Sequence, residues 1–221
     1  MDVVAVNWGT YNDDIERYRL YGEALGKQDR VDEVFAHQDK AKQAVLKVTE
    51  NLKENERQNH VFVSYVNENK INVWGTELPH TAVHKVENLA FTKGKVTDID
   101  ADINAETLLK WDPDMIVIGS WAKDVTPEYF FNHPVLKNLT AVKEKRVYKS
   151  PTASLLDNPG ISWYFYAVLA NPDKFKGFDM RKQVREDYKL LYNIDVTEED
   201  IDQILNVKEN KNSKYSKMFM K

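Results

Sequence analysis

The chain has 221 residues, of which 11% are aromatic, 30% are charged and none is cysteine, and its formal net charge at pH 7 is −4. This length allows one domain with a sizeable core, or one domain with an appendage, and the aromatic content argues against wholesale disorder. The nearly neutral net charge gives no indication of a nucleic-acid-binding surface. The lack of cysteine excludes disulfide scaffolds, thiolate nucleophiles and Cys-ligated metal centres.

The first predicted elements are a short strand and two helices. Residues 3–6 form an apolar run typical of a buried strand, and residues 13–25 read as a helix that Gly26 closes. Asp29 can cap a second, longer helix of roughly 40 Å at about 1.5 Å per residue. Its apolar residues recur at steps of three and four, at Val31, Val34, Phe35, Ala41, Val45, Val48 and Leu52. The sequence predicts neither a membrane span nor a signal peptide.

After residue 57, strands alternate with helices, which is typical of a parallel or mixed sheet covered on both faces. The fold class is therefore α/β. Thr197 and Asp200 form a capping-box pattern at the start of a last helix. The segment after residue 206 is rich in Lys and Asn, which predicts a frayed tail. The predicted strands are 61–66, 71–74, 115–118 and 146–148, and the predicted helices are 79–89, 105–111, 127–136, 161–169 and 180–191.

Ligands of open α/β sheets bind beyond the C-terminal ends of the strands. Large aromatic side chains with a few hydroxyls and amides are concentrated at the predicted strand ends, which suits a flat or amphipathic ligand held by stacking. For any single one of them, half-buried packing is the competing interpretation. The residues at these ends are Tyr65, Asn67, Trp74, Ser120, Trp121, Lys123 and residues 150–158, followed by Trp163, Tyr164 and Tyr166.

Several blocks of the sequence together carry a family resemblance. They are a short helix stopped by Pro113 that passes into a buried strand (104–121), a turn into a second strand (139–148), the run 171–179 that continues into 188–205, and a Leu-Gly-Lys-x-x-Arg pattern within 21–34. In this order and at this spacing they resemble the C-terminal lobe of the solute-binding proteins that deliver iron-siderophore, haem, cobalamin or related metal complexes to bacterial ABC importers.

The resemblance covers most of residues 1–206 and implies a domain organisation. A full member would carry another lobe before Met1, and residues 3–6 would be the last strand of that lobe. An extracytoplasmic location, periplasmic or at the cell surface, is implied as well. The expected units are a remnant of the first lobe with a short helix (1–26), a long linker helix (27–57), an α/β ligand-binding lobe (58–206) and the frayed tail (207–221).

The resemblance further implies capture of a metal chelate rather than catalysis, with no resident cofactor and no direct insertion into a membrane. Asp157 and Asn158 stand where an Arg is frequent in the family, which argues against strongly anionic siderophores. The residues expected to contact the ligand are Tyr65, Trp74, Trp121, Lys123, Ser154 and Trp163.

Glu106 has two interpretations. In the resembled family, the Glu of a Glu-x-x-Leu-x-x-x-Pro-Asp pattern lies on the top of the lobe and pairs with arginines of the membrane permease. Glu106, Leu109, Pro113 and Asp114 fit that pattern, so the resemblance implies a permease-docking role for Glu106. On the sequence alone, it is an exposed residue in the first turn of a helix, favoured there by the helix dipole.

Two other classes of function remain open. His80 and His84 have the spacing of zinc ligands on one helical face, but Thr81 stands where a zincin has Glu, so a surface pair is the favoured interpretation. A small cytosolic α/β metal-dependent hydrolase that uses these two histidines is the alternative function. An interaction module whose long helix pairs with another chain is the third. The sequence contains no phosphate-binding loop, dinucleotide fingerprint or serine-hydrolase elbow.

Overall fold

The computed structural model describes residues 11–67, 70–75, 81–96, 100–152 and 159–219. Its strands are β1 (Asn59–Asn67), β2 (Lys70–Trp74), β3 (Glu87–Asn88), β4 (Asp100–Ile103), β5 (Met115–Ile118) and β6 (Val147–Lys149). Its helices are α1 (Tyr11–Ala24), α2 (Gln28–Thr49), α3 (Thr81–His84), α4 (Leu89–Thr92), α5 (Ala105–Trp111), α6 (Pro127–Asn132), α7 (Thr140–Lys143), α8 (Pro159–Ala170), α9 (Met180–Tyr192), α10 (Glu198–Ile204) and α11 (Val207–Asn210). Short 3₁₀ turns lie at Glu54–Glu56, Leu136–Asn138, Pro172–Phe175 and Ser216–Met218.

A mixed sheet forms the centre of the fold. Its strands follow the order β4-β2-β1-β5-β6, and the two-residue β3 pairs with β1 beside this path. Strands β1, β5 and β6 are parallel, whereas β2 is antiparallel to β1 and β4 is antiparallel to β2. All four residues of β5 are buried, as expected of a parallel strand covered on both faces. The predicted α/β fold with a mixed sheet flanked by helices is confirmed.

The two faces of the sheet form two cores. Val61 and Val63 of β1 pack on one face with Leu108, whereas Phe62 packs on the opposite face with Trp163. Because side chains alternate along a strand, β1 contributes to both cores. Residues 160–170, in the apolar helix α8, are all buried against the second face. None of the described helices combines the length and the apolar character needed to cross a bilayer.

The long helix α2 has 22 residues, about 33 Å at 1.5 Å per residue, and so is shorter than the predicted range 27–57. Arg30, near its start, donates to the carbonyl oxygens of the last turn of α9. Two turns further along, His37 Nε2 lies 2.6 Å from Oδ1 of the buried Asp187 of α9. Helix α2 also packs against α8 and α3. It is therefore fixed to the α/β unit along most of its length.

The described part of the predicted helix 79–89, residues 81–89, does not form a single helix. Helix α3 ends at His84, because Lys85 has a φ of +57° that breaks the helical path, and the chain then forms β3 beside the start of β1. Asn88 begins a separate helix, because its Oδ1 accepts a hydrogen bond from the backbone N of Ala90 (3.1 Å). Strand β4 was not among the predicted strands, and the predicted strand 3–6 lies outside the described residues.

The segment after residue 206 is packed against the sheet, so the predicted frayed tail is wrong. Asn210 is fully buried; its Oδ1 accepts from the backbone N of Lys149 (2.7 Å) and its Nδ2 donates to the carbonyl O of Lys149 (2.9 Å). Ser213 donates to the carbonyl O of Val147, and Phe219 is buried in the core. The side chains of Asn210 and Ser213 satisfy backbone groups at the outer edge of β6 that a further strand would otherwise pair. Upstream, the predicted capping box of α10 is confirmed.

Candidate functional site

Three aromatic rings meet on one face of the sheet, beside the C-terminal end of β5. The ring centroids of Trp74 and Trp121 lie 5.2 Å apart, and Phe62 lies 4.9 Å from Trp74 and 5.6 Å from Trp121. Strand β2 is antiparallel to β1, so its last residue, Trp74, does not lie at the sheet edge where β1 and β5 end. Trp74 therefore joins the cluster on the face of the sheet and not at the common C-terminal edge that the sequence predicts. Phe62 is buried, whereas Trp121 is 49% exposed, so the cluster extends from the core to the solvent.

Trp121 is carried by the loop of residues 119–126, between β5 and α6. The backbone N of Gly119 donates to the carbonyl O of Val63 (2.8 Å), which continues the pairing of β5 with β1. A Cβ atom at Gly119 would lie 2.8 Å from Cε2 of Trp121, so the indole packs directly on this backbone. The lack of a side chain at Gly119 therefore allows the ring of Trp121 to pack beside that of Trp74, with the two ring planes tilted by 33°.

A hydrogen-bond network of β1, β2 and β4 lies on the same face. Nδ2 of the buried Asn72 donates to Tyr65 Oη (3.1 Å) and to Asp102 Oδ1 (3.1 Å), and Lys70 Nζ donates to Asp102 Oδ2 (3.1 Å). The hydrogen bonds from Asn72 and then Lys70 lower the pKa of the Asp102 carboxyl. Desolvation, followed by the charge of Asp102, raises the pKa of Tyr65. The network thus combines an ionised carboxylate with a neutral, exposed phenol.

Lys149, the last residue of β6, is a buried cation beneath the loop of residues 119–126. Its side chain is 3% exposed, and Nζ donates to the carbonyl oxygens of Ala122 and Val125, the latter at 2.8 Å. Burial lowers the pKa of Lys149. The next residue, Ser150, accepts a hydrogen bond on Oγ from the backbone N of Ser120 (3.0 Å). The loop is consequently attached to the end of β6 on both sides of Trp121.

Among the described residues that the sequence proposed for ligand contact, Trp74 and Trp121 are in contact, and Tyr65 lies on the same face of the sheet. Tyr65 and Trp121 are exposed, and Trp74 is partly exposed between them and the core. Lys123 is exposed on the loop that carries Trp121. Their participation in binding stays a prediction, now with a common surface to support it.

Trp163 does not line this surface. Its side chain is fully buried in the core beneath α8, which leaves no ring face for a ligand, so the predicted contact is contradicted by its burial. The physical reason is that α8 is apolar on every side and is enclosed by the sheet, α2 and α9. Ser154, Asp157 and Asn158 lie outside the described residues.

Three residues of the site were not predicted from the sequence. Asn72 is the polar residue of an otherwise apolar stretch, Ile71 to Val73, and a buried amide within a strand signals a hydrogen-bonding role. Lys149 is a charged residue that directly follows the two buried residues Val147 and Tyr148 in β6, and a lysine at such a position is a comparable signal. Asp102 belongs to β4, whose alternating acidic residues gave no strand signal.

Glu106 is exposed in the first turn of α5. The side chain of Asn104 caps this helix by accepting from the backbone N of Thr107 (2.8 Å). The helix ends at Asp112, which has a left-handed backbone (φ +45°) and accepts from the backbone N and the hydroxyl of Thr140 (both 2.7 Å). Glu106 therefore stands on a short helix that is fixed at both ends, with its carboxylate in solvent.

The described histidines do not form the predicted surface pair. His84 is fully buried, with its ring stacked 4.5 Å from that of Tyr166, so the predicted surface pair is wrong for this residue. His80 lies outside the described residues. Within the part of the chain that the structure describes, no group of three or more His, Asp or Glu side chains is placed to hold a metal ion. The geometry gives the hydrolase interpretation no support.

A polar groove of about 1010 Å³ lies between α2 and α9, away from the aromatic cluster. Most of the charged side chains that line the groove form ion pairs or hydrogen bonds with other groups of the protein. Arg185 bonds to Glu198, and Lys189 lies 2.6 Å from Asp195. Arg30 bonds to Glu33 and to the end of α9. Because these groups already satisfy one another, the groove is best described as the seam along which α2 packs.

Comparison with known proteins places these features in context. The sequence profile of a family described as periplasmic binding protein matches residues 3–153. No curated protein matches the chain. Among solved structures, a periplasmic solute-binding protein of Veillonella parvula superposes with a TM-score of 0.77 at 21% identity, over 94% of this chain and 64% of that one.

Two further solved structures share the fold. CeuE of Helicobacter pylori, in a Ni-His complex, has a TM-score of 0.72 at 21% identity, over 90% of this chain and 63% of its own. The molybdate-binding protein MolA of Haemophilus influenzae, bound to molybdate, has a TM-score of 0.69 at 17% identity, over 84% of this chain and 57% of its own. The chain thus spans less than two thirds of the length of the proteins that it resembles.

Proposed function

Because the chain belongs to the periplasmic binding protein family, we propose that it is the substrate-binding component, or a part of that component, of an ABC importer, and that it captures a metal chelate. The family is a family of transport proteins and not of enzymes, and membership implies an extracytoplasmic location, a small-molecule ligand and a permease partner. The observation that carries the proposal is the exposed indole of Trp121 packed beside Trp74 at the sheet face.

The chemistry of this surface supports a ligand with a flat or amphipathic face. The rings of Trp74 and Trp121 offer stacking area, and the neighbouring phenol of Tyr65 and carboxylate of Asp102 offer hydrogen-bond acceptors. Iron-siderophore, haem and cobalamin complexes have such faces. The Ni-His and molybdate ligands of CeuE and MolA support a ligand that contains a metal.

The proposed mechanism is capture followed by presentation. The ligand is held against the aromatic cluster, and Glu106 supplies a charged contact for arginines of the permease. Helix α2 is fixed to α9 by Arg30 and by the pair of His37 with Asp187, so we expect a partner lobe to close only modestly about it, with the ligand between the two lobes and no large hinge motion. We expect Lys123, which is exposed two residues after Trp121 on the same loop, to meet a polar or anionic part of the chelate.

Titration of tryptophan fluorescence with haem, cobalamin, ferric siderophores and molybdate tests the proposal, with calorimetry as the check on optical interference. We expect saturable binding of one compound, and loss of that binding in Trp121→Ala. Tyr192→Ala is the matched control, because Tyr192 is also an exposed aromatic residue (46%) but lies at the end of α9. Equal binding by the Trp121→Ala variant, or no saturable binding by any compound, would argue against this surface as the site.

A further inference from the structure

The ammonium of Lys149 is buried without a counter-ion among the described residues. It forms no ion pair there, and Glu209 and Asp124 act on it only through their charges at longer range. A buried charge without a paired carboxylate depends on hydrogen bonds for its stabilisation. Those bonds go to two carbonyl oxygens of the loop of residues 119–126, at Ala122 and Val125. The charge and the loop conformation are therefore coupled.

The stem of Lys149 is held rigidly from behind. Asn210 bonds to both the backbone N and the carbonyl O of Lys149, and the backbone N of Ser150 donates to the carbonyl O of Ile118 (2.8 Å). The end of β6 is consequently fixed against both β5 and α11. An ammonium on such a rigid base acts as a fixed point for the loop above it.

The two carbonyl groups that accept from Lys149 belong to Ala122 and Val125, on the C-terminal side of Trp121 in the loop. On the other side, Ser120 is attached to Ser150, and the ring of Trp121 lies on the backbone of Gly119. Hydrogen bonds from a charged donor are about twice as strong as neutral ones. Loss of the ammonium would leave residues 122–125 with the packing of Ala122 and Val125 and the internal hydrogen bonds of the loop, and without a bond to β6 on the C-terminal side of Trp121.

We propose that Lys149 is a positioning residue of the candidate cleft, whose buried ammonium holds the loop of residues 119–126 so that Trp121 stays packed beside Trp74. The part of this inference that concerns ligand affinity rests on the proposed function. The part that concerns the loop does not, because it can be measured without any ligand. Lys149 touches no ligand in this scheme and acts through Trp121.

Hydrogen exchange of the full chain tests the loop, comparing wild type with Lys149→Met, an apolar side chain of similar length. Lys143→Met is the control, because Lys143 is exposed on α7. We expect amide exchange in residues 119–126 to rise about tenfold in Lys149→Met, as expected for loss of a charged hydrogen bond, with strand β1 unchanged. The far-ultraviolet exciton signal of the Trp74–Trp121 pair should weaken in the same variant and not in the control.

Other outcomes separate the alternatives. Unchanged exchange in residues 119–126, or an equal rise in every segment, would overturn the positioning role. If Lys149→Met does not fold, Ser150→Ala removes the acceptor for Ser120 alone, and the same segment should exchange faster. Where a chelate binds wild type, Lys149→Met should bind it about tenfold more weakly. If no compound binds wild type, the proposed function fails while the exchange result still decides the role of Lys149.

Discussion

Cα of Gly119 and the indole of Trp121 are so close that a methyl group at residue 119 would lie 2.8 Å from Cε2 and 2.9 Å from Cζ2 of the ring. Real Cβ atoms do not approach other heavy atoms at such distances, so one of the two must move. Because Gly119 is also hydrogen-bonded to β1 through Val63, the backbone is the less mobile partner. The geometry of the aromatic cluster thus depends on residue 119 being a glycine.

Gly119→Ala should therefore displace Trp121 from Trp74 without unfolding the sheet. We expect the exciton signal of the indole pair to fall and the affinity for any chelate that the protein binds to fall about tenfold, the effect of roughly 1.4 kcal/mol. In a Trp121→Ala background the same substitution should have no further effect on affinity. Additive losses in the double variant would show that Gly119 acts by another route.

The sequence predicts the elements of this fold better than the site. Runs such as Met-Ile-Val-Ile in β5, and the capping box of α10, depend on neighbouring residues and are read locally. The contact of Asn72 with Asp102 joins residues 30 positions apart across two antiparallel strands, so no local pattern contains it. Trp163 is an expected ligand contact through the family resemblance, whereas the apolar character of α8 predicts the burial that the structure shows.

Asn210 provides a test of the packing of the C-terminal segment. Its fully buried amide makes three hydrogen bonds, to both backbone groups of Lys149 and to the carbonyl O of Leu205. Asn210→Ala leaves these buried groups unsatisfied, so it should lower the free energy of unfolding by about 1–3 kcal/mol. Asn212→Ala, at an exposed position nearby, should change it by less than about 0.5 kcal/mol. Equal, negligible effects in denaturant titrations would mean that the segment contributes no stability.

Glu106 provides a test of permease docking that is separate from ligand binding. Glu106→Gln removes an exposed carboxylate and no described packing contact, so ligand affinity should not change and stability should fall by less than about 1 kcal/mol. Association with membranes that contain the permease should be lost. Glu199→Gln is the matched control, because Glu199 is also an exposed carboxylate in the first turn of a capped helix. Equal retention of the two variants on those membranes would remove Glu106 from the docking surface.

His60 makes the stability of the fold sensitive to acid. The ring is fully buried, packs 5.0 Å from the ring of Tyr166, and has its pKa lowered from 6.5 to about 4 by desolvation, with a smaller opposing effect of its hydrogen bond to Glu87. The unfolded chain binds a proton near pH 6.5 and the folded chain only near pH 4. Stability is therefore complete above pH 6.5 and falls as the pH drops towards 4, by about 3 kcal/mol at 1.36 kcal/mol per pKa unit.

Denaturant titrations at pH 7.5, 5.5 and 4.5 measure this loss. The carboxyl groups of Asp102, Glu198 and Asp200 have lowered pKa values, so their contributions to the free energy of unfolding are lost mainly at lower pH. The variant His60→Asn keeps a polar group near Glu87 but does not titrate. It should be less stable than wild type at pH 7.5, because a buried ring is lost, and should show a much flatter dependence between pH 6.5 and 4.5. An equal slope in both proteins would assign the acid sensitivity to groups other than His60.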